Sequence, residues 1–298
     1  MEERIEIQNV DQYYGKKQAL DKVSLSIGKG MFGLLGRNGA GKTTLMKTLA
    51  GLHPKSSGSI TVCGVPISRV REVRSMTGYL PQEFSMYPSM TCEEALDYLG
   101  VLSGMDKKLR HERTELLLKQ VNLNEHRRKR IKELSGGMKR RLGIAQALLH
   151  DPRVLIVDEP TAGLDPEERI RFRNLLGEVA EDRIVILSTH IVGDIEASCE
   201  KAAVMNEGKI LWTGNVAELL HEAEGKVWTA TVETRFLPQV KSLYPVTGMV
   251  MKGNETVLRF VHDGTPDVTG AAQIQPGLED AYIYCLYRNG CIENGGEI

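Results

Sequence analysis

At 298 residues, with 38 Lys and Arg against 39 Asp and Glu, the chain is long enough for one large domain or two unequal ones. Its net charge of −1 argues against a nucleic-acid partner held by bulk electrostatics. Five irregularly spaced cysteines with no Cys-x-x-Cys pair argue against a disulfide frame or zinc site and fit a reducing cytosol. The opening MEERIEIQ is charged and lacks an apolar core, so it does not read as a signal peptide. No apolar run nears the ~20 residues of a membrane span, so work at a membrane would need spans from another polypeptide.

Residues 1 to about 30 alternate, with Ile5 and Ile7, then Val23, Leu25 and Ile27, and read as a small antiparallel layer. MFGLL is a short apolar strand that runs into GRNGAGKTT, Gly36 to Thr44. TTLMKTLAGL follows with Leu45, Leu49 and Leu52 at helical spacing, ended by Gly51 and Pro54. Strand, glycine loop, helix is the context of a phosphate loop, and Gly36 to Thr43 fits G-x-x-x-x-G-K-[ST]. Glycines let backbone N–H groups converge on an anion; Lys42 would reach the β- and γ-phosphates, Thr43 would offer its hydroxyl to Mg²⁺, and the helix points its positive end at them. The alternative is a chance glycine turn before a helix.

From about 85 to 150 the pattern is helical. Thr91 and Glu94 have capping-box spacing, Leu109, Leu116, Leu117 and Val121 suggest a second helix, and Ser135 opens a third with Met138, Leu142, Ala145 and Leu149 on one stripe. The run Arg127-Arg128-Lys129-Arg130 reads as a solvated face. VLIVDEP, 154–160, has the continuous apolar run of a strand buried on both faces. Asp158 at its end is costly unless it has a task, such as holding Mg²⁺ through water, and Glu159 could act as a general base. A polar loop after a strand explains the same letters. Asp165-Pro166 starts another helix, RIVILSTH repeats the buried strand up to His190, and 201–214 reads as a hairpin. Strands alternating with helices predict an α/β sheet.

Near Glu224-Gly225 the character shifts. VWTATVE alternates, 249–261 reads as a hairpin turning at Gly253-Asn254, and LEDAYIYCL suggests a short helix with Leu278, Tyr282 and Cys285 on one face. Residues 225–298 therefore read as a small α+β appendage to a domain of residues 1–222.

In order and spacing, these segments resemble the ATP-binding subunit of an ABC transporter, over roughly residues 4 to 220. The resemblance implies a P-loop NTPase core with an N-terminal antiparallel β layer and a helical insert at about 85–150. It identifies Gly36, Arg37, Asn38, Gly39, Ala40, Gly41, Lys42, Thr43 and Thr44 as the Walker A loop and Tyr14 as the aromatic that stacks on adenine. Gln82 matches the Q-loop glutamine that contacts Mg²⁺ and senses the membrane partner. Ser135, Gly136 and Gly137 match the signature, Asp158 and Glu159 the Walker B pair, Asp165 the end of the D-loop, and His190 the switch histidine. Met138 stands where the family usually has Gln, which removes one polar contact to the neighbouring nucleotide.

The resemblance implies ATP and Mg²⁺ as cofactors. It also implies a second copy of the chain arranged head to tail, and an ABC-type transmembrane permease at the cytoplasmic face of the cell membrane. Phe84, Met86, Tyr87 and Met90 fit either a groove for a coupling helix of that permease or ordinary packing. The segments PQEF-x-x-YP, LSGGMKRR and P-x-LEDAY are similar to the ABC-2 group, which serves exporters. An importer subunit is the rival within transport; a soluble ABC ATPase would typically join two cassettes or insert a coiled coil or zinc module, which this chain lacks. A GTPase is disfavoured because no Asn-Lys-x-Asp occurs.

Overall fold

The computed structural model describes residues 3–292. Its first half runs β1 (Arg4–Tyr14), β2 (Lys17–Gly28), β3 (Gly30–Leu35), α1 (Lys42–Leu49), β4 (Ser59–Val62), β5 (Val65–Pro66), α2 (Val70–Ser75), β6 (Thr77–Leu80), α3 (Cys92–Leu102), α4 (Lys107–Gln120) and α5 (Gly136–Leu148). The second half runs β7 (Val154–Asp158), α6 (Pro166–Ala180), β8 (Ile184–Thr189), α7 (Val192–Ser198), β9 (Lys201–Asn206), β10 (Lys209–Asn215), α8 (Val216–Glu222), β11 (Val227–Glu233), α9 (Leu237–Leu243), β12 (Val246–Lys252), β13 (Glu255–Val261), β14 (Ala272–Gln273) and α10 (Leu278–Arg288).

Alternation makes the first layer. Every second residue from Val23 to Ile27 is buried, and β2 pairs antiparallel with β1 in a sheet ordered β2-β1-β4-β5. The central sheet is ordered β10-β9-β3-β8-β7-β6 and is parallel apart from the β9–β10 hairpin. Its middle strands are apolar on both faces, as a covered parallel sheet requires. In β7, Val154 and Ile156 face the core shared with the N-terminal layer and α1, while Leu155 and Val157 face the core shared with α5, α6 and α7. The α1 residues Leu45, Met46 and Leu49 lie between the two sheets, packed with Ile5, Ile7, Ile156 and Ile186.

The helical insert carries the expected capping box at Thr91 and Glu94. Helix α4 departs from the expected stripe. Leu109 and Leu116 are 42% and 54% exposed, and the buried face is Thr114, Leu117 and Leu118, continued by Val121. Those positions follow the i, i+3, i+4, i+7 spacing, so the helix turns the charged flanks of its leucines outward.

The C-terminal sheet, ordered β12-β13-β11-β14, turns from β12 to β13 at Gly253, whose φ is +64°. It has a small core of its own around Trp228, Leu258 and Phe260. Helix α10 behaves differently. It is buried on almost every side rather than along the single face expected from Leu278, Tyr282 and Cys285; Ala281, Ile283, Tyr284 and Leu286 are buried as well. It belongs to the main core with Val192, Ile195, Val216 and Leu219. Asp280, 2% exposed, fixes its start by accepting hydrogen bonds from the Arg259 guanidinium, the Gly277 N–H and the Thr247 hydroxyl.

Candidate functional site

Parallel strands end on the same edge of their sheet, so β3, β6, β7 and β8 deliver the segments that follow them to one place. Those segments begin at Gly36, Pro81, Glu159 and His190. The Gly36–Thr44 loop after β3 is shaped by its neighbours. A Cβ at Gly36 would stand 2.3 Å from the Met205 carbonyl oxygen, and one at Gly41, where φ is +105°, 2.7 Å from that of Ala19. Only glycine tolerates those approaches. Helix α1 starts at Lys42 with no side chain capping it, leaving its first N–H groups directed at the cavity mouth. Lys42 is 4% exposed. Its ammonium donates to the carbonyl oxygens of Gly36 (2.8 Å) and Arg37 (3.1 Å) and pairs with Glu159 Oε1 at 3.2 Å.

Glu159 is the meeting point. It follows the last residue of β7, is 5% exposed, and adopts φ +47°, a left-handed backbone that a glutamate rarely takes. Its N–H donates to the Ser188 carbonyl oxygen at 2.9 Å, which ties that conformation to β8. Its second carboxylate oxygen, Oε2, accepts from Gln82 Nε2 at 3.3 Å and lies 3.0 Å from His190 Nδ1. Gln82 comes from the loop after β6 and His190 from the end of β8.

Asp158 is fully buried. Its Oδ1 accepts from the Ser188 hydroxyl at 2.7 Å, while Oδ2 is shielded and has no partner. An orphaned buried carboxylate oxygen has a use if a hydrated cation is brought beside it. Among the described residues no cluster of three or more His, Cys, Asp or Glu could hold a metal by itself. That suits Mg²⁺, which takes one or two protein groups plus phosphate oxygens. Tyr79, whose buried hydroxyl also has no partner, has its phenol pKa pushed up by burial and then by the charge of Asp158.

A cavity of about 580 Å³ opens over the loop. It is lined by Tyr14, by Asn38, Gly39, Ala40, Gly41, Lys42, Thr43 and Thr44, and by Gln82 and Glu159. The size suits a nucleotide. Tyr14 is 45% exposed and meets His53 edge to face. Lys17, Gln18 and Glu207 also line the cavity and were not anticipated. The only sequence signal for Glu207 is the Asn-Glu-Gly turn of the β9–β10 hairpin, which the Gly208 N–H pins to the Ala40 carbonyl oxygen at 2.8 Å.

Other expected residues lie outside that cavity. Gly36 and Arg37 support it from behind, through the carbonyls that hold Lys42. Ser135 and Gly136 are exposed at the start of α5, where Ser135 Oγ accepts from the Met138 N–H at 3.2 Å. Gly137 is buried against Glu168 of α6; a Cβ there would meet Glu168 Oε2 at 2.5 Å. Asp165 caps α6 by accepting from the Glu168 N–H at 2.9 Å. The Ser135–Gly137 turn and Asp165 thus form a second, separate group joined through Glu168.

A family model described as ABC transporter matches residues 20–162. The chain is 35% identical to the uncharacterized ABC transporter ATP-binding protein YxlF of Bacillus subtilis (strain 168), over 95% of this chain and 99% of that one. It is 33% identical to the linearmycin resistance ATP-binding protein LnrL of the same organism, covering 83% and 82%. It is 37% identical to the Nod factor export ATP-binding protein I of Burkholderia lata, covering 74% of each. Among solved structures, cbiO1 from Clostridium perfringens, part of the ABC transporter complex cbiONQ, superposes with a TM-score of 0.67 at 28% identity, over 74% of this chain and 92% of that one. The chain belongs to the ATP-binding subunits of ABC transporters. It is an ATPase of the P-loop class, a family that binds ATP.

Proposed function

We propose that this chain powers export across a membrane. Two copies close head to tail over two ATP molecules, bound to a separate ABC-type permease at the cytoplasmic face. The observation that carries the reading is the division of the ATP-binding parts into two groups. One surrounds the cavity and contains Lys42 and Glu159; the other, Ser135 to Gly137, is a helix N-terminus away from that cavity with Ser135 and Gly136 exposed. A helix start with a hydroxyl and glycine N–H groups is an anion seat, and a second copy would bring a γ-phosphate to it.

In this reading the phosphate loop and Lys42 hold the β- and γ-phosphates, and Tyr14 takes the adenine. Thr43, Gln82 and, through water, Asp158 would hold Mg²⁺, which would supply positive charge to neutralise the phosphate oxygens. Entry of the γ-phosphate gives the Lys42 ammonium a new partner and frees Glu159 from it. Glu159 then accepts a proton from the attacking water, and His190, held on Glu159 Oε2, faces the developing charge. Asp165 sits beside the opposing copy, where its caps keep α6 in place. The γ-phosphate supplies the contacts that favour the closed pair, and its loss reopens it.

The permease would contact the groove that follows Gln82. The groove, about 340 Å³, lies between Phe84, Met86, Tyr87, Met90, Tyr98 and Leu99. Phe84, Met86 and Met90 are half-buried and pack on the core, while Tyr87 is 58% exposed and meets Tyr98 edge to face at 5.8 Å. No helix among the described residues is long and apolar enough to cross a membrane. Export is favoured over import by the roles that LnrL and the Nod factor protein are named for, resistance and export. The test is a pull-down with tagged Glu159→Gln protein and solubilised source membranes, with and without MgATP. Recovery of a multi-span membrane protein encoded with an efflux or resistance locus supports the reading. Recovery of a multi-span protein together with an extracytoplasmic binding protein indicates import, and recovery of ribosomal or DNA-repair components overturns the transport role.

A further inference from the structure

Glu207 and Gly208 line the ATP cavity. They form the two-residue turn between β9 and β10, closed by the pairing of Asn206 with Lys209. Both have positive φ, +46° and +80°, the backbone of a type I′ turn. Asn, Asp and Gly adopt that backbone readily at the first of the two positions, and a glutamate there is strained. Asn-Gly would close the same hairpin at lower cost, so the strain points to a task for the glutamate side chain.

The turn is fixed on two sides. The Gly208 N–H donates to the Ala40 carbonyl oxygen of the phosphate loop at 2.8 Å, and the Gly208 carbonyl oxygen accepts from the Asp21 N–H of β2 at 2.9 Å. Lys209 pairs with the Asp21 carboxylate at 3.4 Å. A Cβ at Gly208 would stand 2.8 Å from the Ala19 carbonyl oxygen, the atom that a Cβ at Gly41 would also meet. Ala19 lines the cavity too, and from it β2 runs back through Gln18 to Lys17, which pairs with Tyr14. The turn therefore stands where β2 meets the phosphate loop, between the Tyr14 end of the cavity and the phosphate seat.

The Glu207 side chain is exposed and has no hydrogen-bond or ion-pair partner among the described residues. An ionised carboxylate only accepts hydrogen bonds, so phosphate oxygens offer it nothing but repulsion. The donors that ATP carries are the two ribose hydroxyls and the adenine amine. The amine lies on the edge of the base away from the phosphates, whereas the sugar joins base to phosphates. We propose that Glu207 is a specificity-determining residue: its carboxylate accepts from the ribose hydroxyls, so the cavity prefers ribonucleotides to nucleotides that lack them. The proposal rests on the reading that Tyr14 takes the adenine and the loop takes the phosphates.

Calorimetry on the full chain compares MgATP with magnesium-loaded dideoxyATP, which lacks both ribose hydroxyls. Wild-type protein is expected to bind ATP about three- to tenfold more tightly, the weight of a charge-assisted hydrogen bond at an exposed site. Glu207→Asn supplies a residue that the turn prefers, removes the charge and draws the acceptor back by one methylene. The Tm of the nucleotide-free variant should therefore hold or rise, while its ATP affinity falls to that of dideoxyATP and its dideoxyATP affinity stays where it was. Glu207→Gln, which keeps the length and one acceptor oxygen, should lie between. Equal binding of the two nucleotides by wild-type protein, a preference for ATP that survives in Glu207→Asn, or equal losses for both nucleotides in that variant would each overturn the proposal. If Lys42→Ala bound MgATP as tightly as the wild type, the phosphate-loop reading would itself fail, a result separate from the sugar comparison.

Discussion

Lys42 Nζ lies 3.2 Å from Glu159 Oε1, and the two side chains are only 3% and 6% exposed. Neither charge could be left alone at such depth without a large cost. The pairing gives each a partner in the nucleotide-free chain and makes phosphate entry an exchange. In the proposed mechanism the ammonium would move its charge from a carboxylate to a phosphate, and the carboxylate would become available to water.

The first consequence concerns hydrolysis. Glu159→Gln keeps the size of the side chain but only one acceptor oxygen, and it cannot accept a proton. ATP turnover should fall by about 10²–10⁴-fold, the usual weight of a general base. Binding of MgATP should persist, and light scattering should show the mass of two chains with MgATP and of one without.

The buried pair also predicts a coupling in stability. Lys42→Ala leaves Glu159 without its cation, although Gln82 and His190 remain on its other oxygen. The nucleotide-free protein should lose about 2–4 kcal/mol in urea unfolding. Lys42→Ala combined with Glu159→Gln should recover much of that, because no buried charge is then left unpaired. Simple addition of the two single effects would show that the pair is not an energetic unit.

Asp280 is the joint of the C-terminal segment. Asp280→Ala strips the partners from the Thr247 hydroxyl, the Gly277 N–H and the Arg259 guanidinium. Arg259 is 38% exposed and can turn to water, which limits the loss to about 2–3 kcal/mol. Protease should then cleave near 277 sooner than in the wild type, while Asp280→Asn should lie between the two.

His150 sets a slope with pH. Its ring is largely shielded, Nε2 has no partner, and burial holds its pKa below the ordinary 6.5. The unfolded chain therefore binds more protons than the folded one just below pH 6.5, and stability falls as pH drops through that window. The loss ends once pH passes below the lowered folded value. Unfolding free energy measured from pH 7.5 to 5 should decline less steeply in His150→Gln than in the wild type. Equal slopes would remove His150 as a contributor.

Much of the cavity was legible because phosphate chemistry dictates residue types over a short stretch. Asn38 to Thr44 read as one pattern and line one cavity. Gln82, Glu159 and His190 are far apart in sequence but each follows an apolar strand, and parallel pairing brings strand ends together. What stayed hidden depends on tertiary placement. Leu109 and Leu116 satisfy a helical period as well as Thr114 and Leu118 do, and only the packing partner chooses the face. The left-handed backbone of Glu159 has no signature in the letters, since glutamate gives no warning of it. Nor does composition say that the Arg37 side chain does not line the cavity. The burial of α10 on nearly every side was masked by its tyrosines and acids, which find partners in Asp263 and Arg259.

That last helix has a bearing on how the protein is made. A ribosome releases Val192, Ile195, Val216 and Leu219 well before α10, yet they share one core in the finished molecule. Until Leu278 to Leu286 emerge, the side of the core formed by Val192, Ile195, Val216 and Leu219 stays open to water. A nascent chain therefore carries an exposed apolar gap from the emergence of Leu219 until that of α10, the kind of surface that chaperones hold and proteases inspect. A chain that stopped before Leu278 would leave that apolar side of the core uncovered.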